Sequence, residues 1–178
     1  MSTGRPPWRA LVVTVSDRSS RGDRPDTSGP VLAGLLREMG LEVGEPVVVP
    51  DEVDAVQQVL RAAAASYDLV VTTGGTGLSP RDVTPEATAP LLDRQVPGLA
   101  EALRQRGSAL VPTAVLSRGV AGTIGAALVV NLPGSTGGVR DGATVLAPVV
   151  LHALEQLAGG GDHSAGRGSR DGSGSGGA

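Results

Sequence analysis

Four times along this chain a short aliphatic run ends in a loop of glycines, hydroxyls and aspartates, and the loop leads into a stretch with helical spacing. The runs are residues 10–15, 43–49, 69–73 and 127–132. Apolar runs of this length, closed by turn residues, have the signature of strands buried on both faces. Between them, apolar side chains recur three and four residues apart, as one face of a helix requires. Val31, Leu32, Leu35, Leu36 and Met39 do so after Ser28, with Gly40 as the stop. A helix over 51–66 gathers Val53, Val56, Val59 and Leu60 on one side. Helices near 84–93 and 97–105 each carry a proline in the first turn, where its missing N–H costs nothing. Residues 113–124 read as a helix end and a short strand. Residues 135–158 are helical in pattern, but Gly142 and Pro148 predict two shorter helices or one kinked one. Strands alternating with helices in this way predict an α/β fold: a three-layer sandwich with a mostly parallel sheet between helices.

At 178 residues the chain has the size of one domain, and the pattern spans residues 9–158. Residues 1–8 read as a flexible N-terminus. In residues 159–178, Gly or Ser occupies 13 of 20 positions, too little apolar surface to offset the entropy of ordering, so a disordered tail is expected. No apolar run approaches the roughly 18 residues needed to span a bilayer, and the run at 10–15 is too short for a signal segment. No membrane association and a cytoplasmic location are therefore expected.

What is missing narrows the chemistry. There is no Cys, so thiolate nucleophiles, disulfides and Cys-ligated zinc are excluded. All 15 basic residues are Arg, which removes Schiff-base chemistry and the lysine of a Walker A loop. Of the two His, His163 falls in the tail and His152 in a helical stretch, so a catalytic triad is not expected. Trp8 and Tyr67 are the only aromatic residues and the net charge is −3, a poor basis for nucleic-acid binding. Carboxylates, hydroxyls, guanidinium groups and backbone amides remain, with a metal as the natural complement.

In open parallel sheets, ligands bind beyond the carboxyl ends of the strands. Those ends carry Thr14-Val15-Ser16-Asp17, Pro50-Asp51-Glu52, Thr72-Thr73-Gly74-Gly75-Thr76-Gly77 and Asn131-Leu132-Pro133-Gly134-Ser135. Three glycines in four residues suit a tight strand-to-helix turn. They equally suit a nest of N–H groups aimed at phosphate oxygens. Ser135 fits a helix cap, and the amides beside it fit an anion. Asp51 stands where an N-cap belongs, or it reaches a ligand. Asp82 is freer, because Thr84 already suits the next cap. Two carboxylates beside a phosphate nest would repel the ligand unless a divalent cation intervened, and Mg²⁺ prefers such oxygen donors. Ser16 and Asp17 fit a loop turn as well. Arg18, Arg21 and Arg24 read as solvated charges, or as a basic loop able to clamp a polyphosphate.

The run from Thr72 through Gly77 and on through Arg81-Asp82-Val83-Thr84-Pro85-Glu86-Ala87-Thr88 resembles the signature of the MogA/MoaB family of molybdenum cofactor biosynthesis. Thr14-Val15-Ser16-Asp17-Arg18, Asp26-Thr27-Ser28-Gly29, Val49-Pro50-Asp51-Glu52, Pro112-Thr113-Ala114-Val115-Leu116-Ser117-Arg118 and Asn131-Leu132-Pro133-Gly134-Ser135 extend the likeness, in order, from about residue 10 to 157. The resemblance implies Mg-ATP-dependent adenylylation of molybdopterin with release of pyrophosphate. The product then passes to a molybdate-inserting enzyme. It also implies a homotrimer or a dimer of trimers. Carried over by position, Asp51 and Asp82 are the catalytic and metal-binding acids. Thr14, Ser16, Thr73, Gly74, Gly75, Thr76, Gly77, Pro133, Gly134 and Ser135 line the pterin and nucleotide pocket. Relatives often have Pro and a basic residue soon after the Leu-Pro-Gly-Ser motif, where this chain has Thr136 and Gly137; Arg140 is the candidate replacement.

Such a transfer needs no enzyme nucleophile, so it suits a chain without Cys or Lys. The same fold also serves as a binding domain, so a molybdopterin-binding or delivery protein is the alternative. A free-standing chain of this length favours the enzyme. A generic nucleotide-binding protein, resting on the glycine loops alone, is the third reading.

Overall fold

The computed structural model describes residues 7–159; the expectations for 1–6 and 160–178 fall outside them. In chain order the elements are β1 (Arg9–Val15), α1 (Asp17–Ser20), α2 (Ser28–Glu38), β2 (Glu42–Val43), β3 (Val47–Val49), α3 (Val53–Ala64), β4 (Leu69–Thr73), α4 (Thr84–Thr88), β5 (Arg94–Gln95), α5 (Pro97–Ser108), β6 (Ala121–Ile124), β7 (Ala127–Leu132), α6 (Thr136–Leu146) and α7 (Val150–Leu157). Two 3₁₀ turns, Ala89–Leu91 and Pro112–Leu116, complete them.

The sheet runs β2-β1-β4-β7-β6-β5, with β3 also paired to β1. Its left part is parallel: β1 pairs in parallel with β2, β3 and β4, and β4 with β7. Its right part turns back, since β6 pairs antiparallel with both β7 and β5. The sheet is therefore mixed.

Alternation along each central strand divides the core in two. Ala10 and Val12, Leu69 and Val71, and Leu128, Val130 and Leu132 face a cluster filled by Leu32, Leu36, Ala100, Val139, Leu146 and Leu154, from α2, α5, α6 and α7. Leu11, Val13 and Val15, Val70 and Val129 face the other side, where Val56 and Leu60 of α3 and Ala87 of α4 close the layer. Each such Val or Leu removes roughly 1.5–3 kcal/mol worth of apolar surface from water. Runs apolar on both faces are the consequence of covering a parallel sheet twice. Trp8, placed by the sequence reading in a loose leader, packs partly buried against the first cluster, and its carbonyl accepts from Glu42 N at 2.8 Å.

Several boundaries differ from the sequence expectation. The strand expected over 43–49 is broken, because Gly44 N still bonds Ala10 O at 3.0 Å while Pro46 has no N–H to offer. Arg9 pairs with Glu42 but Val13 with Val47, so one extra residue is absorbed in the break. The helix expected over 84–93 stops at Thr88, since Pro90 cannot continue the backbone ladder. Residues 135–158 form two helices, parted at Pro148.

Candidate functional site

Because β1, β3, β4 and β7 are parallel, their carboxyl ends lie along one rim, and the four loops are stitched together there. Ser16 caps α1 by accepting from Ser19 N at 3.2 Å, and its own N–H donates to Val49 O at 2.9 Å. The next residue meets Asp51 in a reciprocal exchange. Asp17 N donates to Asp51 Oδ2 at 2.7 Å, and Asp51 N donates to Asp17 Oδ1 at 3.0 Å. Asp51 is thus not the N-cap of α3; Glu52 holds that position and makes no side-chain cap bond. Asp17 in turn receives Arg81 Nε at 2.9 Å and Nη2 at 2.5 Å on Oδ2, which draws the glycine loop toward β1.

The glycine loop is constrained by contacts that a side chain would not permit. Gly74 has φ of +102°, and a Cβ there would lie 2.3 Å from Val15 O. Gly75 has φ of +64°, and a Cβ would lie 2.4 Å from Thr84 Oγ1 and 3.2 Å from Asp51 Oδ1. Both positions need the left-handed backbone and the absent side chain that only glycine supplies cheaply. Thr84 is not the cap of α4 either. Val83 holds that place, and the buried Thr84 hydroxyl reaches back to donate to Gly74 O at 2.8 Å. Thr73 Oγ1 donates to Pro133 O at 2.8 Å, joining the third loop to the fourth. Ser135 caps α6 by accepting from Gly138 N at 3.0 Å, as its place before the helix predicts.

Beneath the rim lies a buried polar layer. Asn131 Nδ2 donates to Thr72 Oγ1 at 3.0 Å and to Thr88 Oγ1 at 3.1 Å, while its Oδ1 accepts from Val120 N. Thr88 Oγ1 in turn donates to Thr84 O at 2.8 Å. A satisfied network of this kind fixes loop positions more rigidly than apolar packing, because each lost partner would leave a polar atom unpaired in the interior.

Two cavities open on this rim. One of about 420 Å³ is walled by Thr14, Ser16, Asp17, Asp51 and Thr73, with Arg18, Arg21 and Arg24 on its exposed side. Thr14 is held there by donating to Asp26 Oδ2 at 2.7 Å. The other, of about 510 Å³, is walled by Thr76, Gly77, Pro133 and Ser135 and, opposite them, by Ala100, Leu103, Val111, Ala114 and Leu116. Gly74, Gly75, Asp82 and Gly134 belong to both. Every residue singled out for the pocket from the sequence lies on the wall of one cavity or both. Arg140 lies on neither; it is exposed on α6.

Asp51 and Asp82 share the smaller cavity. Burial pushes the Asp51 carboxyl above its ordinary value; the N–H of Asp17 opposes this, and the charges of Asp17 and Asp82 add to it. Asp82 Oδ2 accepts from Ser79 N at 2.9 Å. Among the described residues, Asp51 Oδ1 and Asp82 Oδ1 have no hydrogen-bond donor. No group of three or more His, Cys, Asp or Glu able to cage a metal occurs among them either. Two carboxylates, each with an oxygen to spare and one carrying charge that its surroundings disfavour, suit a cation whose remaining ligands come from bound phosphates.

Two arginines that the sequence motifs contained without a role hold the loop from outside. Arg81 is the clasp to Asp17 already described. Arg118 donates from Nε to Gly77 O at 2.8 Å and from Nη2 to Asp82 O at 2.7 Å, and it pairs through Nη1 with Glu86. Its own N–H donates to Thr76 O at 2.8 Å. Their separation along the chain hides these partnerships from local pattern. No helix among the described residues is long and apolar enough to cross a membrane.

Residues 11–152 match the family described as "Probable molybdopterin binding domain". A solved molybdopterin biosynthesis protein from Mycobacterium abscessus superposes with a TM-score of 0.82 at 51% identity, covering 86% of this chain and 98% of that one. The molybdopterin biosynthesis enzyme MoaB from Thermus thermophilus gives a TM-score of 0.80 at 47% identity, covering 85% and 97%. The molybdopterin adenylyltransferase of Helicobacter pylori is 38% identical over 152 residues, 83% of this chain and 86% of that protein. Other relatives are longer: the chain spans 22% of the length of gephyrin from Dictyostelium discoideum and 49% of the molybdenum cofactor biosynthesis bifunctional protein of Chlorobaculum tepidum. With the match taking in nearly the whole domain, glycine loop and both acids included, the chain belongs to the MogA/MoaB family of molybdopterin-binding domains.

Proposed function

We propose that this chain is a molybdopterin adenylyltransferase of molybdenum cofactor biosynthesis, transferring AMP from ATP to the phosphate of molybdopterin. The observation that carries the reading is the pair of cavities sharing Gly74, Gly75, Asp82 and Gly134. Two ligands seated in them would meet at that common wall. A phosphate oxygen of molybdopterin attacks the α-phosphorus of ATP as the bond from that phosphorus to its bridging oxygen breaks. Pyrophosphate leaves with the electron pair, and no side chain need act as nucleophile.

The protein's part is alignment and charge. Amides of the glycine loop and of the α6 N-terminus donate to phosphate oxygens, and the tethers Asp17–Asp51, Thr84–Gly74 and Arg118–Gly77 keep those donors from relaxing. Asp51 and Asp82 would hold Mg²⁺, which when bound supplies charge screening at the phosphates. A homotrimer or a dimer of trimers, and a molybdate-inserting enzyme that takes the product, belong to the same reading by family resemblance.

The test is release of pyrophosphate on mixing the protein with ATP, Mg²⁺ and molybdopterin, each omitted in turn. Release that requires all three is expected. Molybdopterin binding without release would identify a binding or delivery protein instead, and ATP binding indifferent to pterin would leave only a nucleotide-binding domain.

A further inference from the structure

The wall of the larger cavity carries two carboxylates, Asp82 and Asp141, and one guanidinium, Arg104 of α5. Asp141 is engaged by Arg106 at 3.5 Å. Arg104 is half-buried and has no carboxylate within ion-pair distance among the described residues. Its Nη1 donates to Gly119 O at 3.0 Å, the residue after the Arg118 that grips the glycine loop. A guanidinium has five N–H donors, so about four remain for something else. They are not sealed in the core, since Thr123 Oγ1 is the one buried side-chain polar atom without a partner among the described residues. Arg104 is therefore a tethered, oriented fork of donors opening on a cavity.

Its surroundings say what the fork suits. Leu103 and Ala100 precede it on α5, and Val111, Ala114 and Leu116 line the same wall. Apolar side chains beside one planar donor group fit a flat heterocycle that hides its faces and offers acceptors along one edge. Arginine reads such an edge in two-point fashion, as it does the adjacent carbonyl oxygen and ring nitrogen of guanine. A pterin carries such a ring carbonyl, whose two lone pairs can accept from two N–H groups of one guanidinium; the neighbouring ring nitrogen accepts as well only in the oxidised ring, since in the reduced ring of molybdopterin it bears a hydrogen.

We propose that Arg104 is a substrate-binding residue that grips the carbonyl edge of the pterin ring in the larger cavity and takes no part in holding ATP. This rests on the reading above only in taking molybdopterin as the ligand. The experiment is direct binding of molybdopterin, without ATP, to the wild type, Arg104→Gln and Arg104→Lys. A simple pterin lacking both phosphate and sulfur serves as a second probe, and the KM for ATP is measured in parallel. Both variants are expected to bind molybdopterin about ten- to a hundred-fold more weakly. Lysine should fail to restore affinity because it is a point charge without the guanidinium's planar fork of donors. The simple pterin should lose affinity likewise, with the KM for ATP unchanged. Undiminished molybdopterin binding in Arg104→Gln would overturn the proposal. So would a defect confined to ATP, or full rescue by lysine. A wild type that binds molybdopterin through Arg104 yet releases no pyrophosphate would refute the transferase reading and support this one; turnover with an indifferent Arg104 would do the reverse.

Discussion

Asp51 illustrates how a residue can be located from sequence while its surroundings stay hidden. Its place after a strand end gave two readings, helix cap or site residue. The structure removes the first, because its carboxylate faces Asp17 across 34 residues of chain. Thr84 repeats the lesson in reverse: its sequence position suggested a cap, and its hydroxyl instead secures Gly74. Ser135 was legible because capping is local. Gly75→Ala should lower turnover about 10²-fold, since moving Thr84 or Asp51 to admit a methyl displaces the reacting groups by an ångström or so; unchanged kinetics would show that the loop tolerates the shift. Arg118→Met, which frees the carbonyls of Gly77 and Asp82, should reduce kcat by a similar factor with a smaller change in KM, read in steady-state kinetics.

The acids also give the stability a pH dependence whose sign can be worked out. Arg81 beside Asp17, and Arg118 beside Glu86, hold those carboxyls below their ordinary values. The folded chain therefore binds these protons less readily than the unfolded chain. That contribution is present above the unfolded values and is lost as the pH falls through the lowered ones. Asp51 acts oppositely: its raised carboxyl favours the protonated fold, so its ionisation costs stability as the pH rises. Asp17→Asn should destabilise the protein near neutral pH, and the gap from the wild type should narrow as the pH falls below the ordinary carboxylate value, with added salt shrinking it. A gap constant from pH 3 to pH 7 would assign the loss to packing.

At the level of elements, the central strands β1, β4 and β7 were legible almost residue by residue, whereas the run at 43–49 hid the break between β2 and β3. A doubly covered strand must be apolar throughout, and β4 and β7 were expected at the bounds they have. The antiparallel half was legible only in part: the short strand read within 113–124 is β6, but its bounds and the existence of β5 were not foreseen. Two-residue β5 and the short β6 have no run long enough to show a period, and their pairing partners set their conformation. The buried Thr123 of β6 has a hydroxyl without a partner among the described residues, so Thr123→Val should raise stability by about 1 kcal/mol in chemical denaturation. A loss on the same measurement would mean that the hydroxyl is satisfied by bound water or a contact with another molecule.

Over the whole molecule, the order of strands converts four loops scattered between residues 16 and 135 into one rim with two cavities. Composition had already excluded covalent catalysis by thiolate or lysine, and the resemblance named the loops. Neither could say that the loops divide into a polar chamber and a partly apolar one with a common wall, because that division depends on α5 and the 3₁₀ turn at Pro112–Leu116 lining one cavity together with the glycine loop. The central claim is that acids and amides at this wall align two phosphorylated ligands and screen their repulsion. Its most direct test compares Asp82→Asn with the wild type in molybdopterin-dependent pyrophosphate release and, separately, in molybdopterin binding. Turnover should fall at least about 10²-fold while the binding constant changes only a few-fold; parallel losses in both, or turnover that survives the substitution, would contradict the claim.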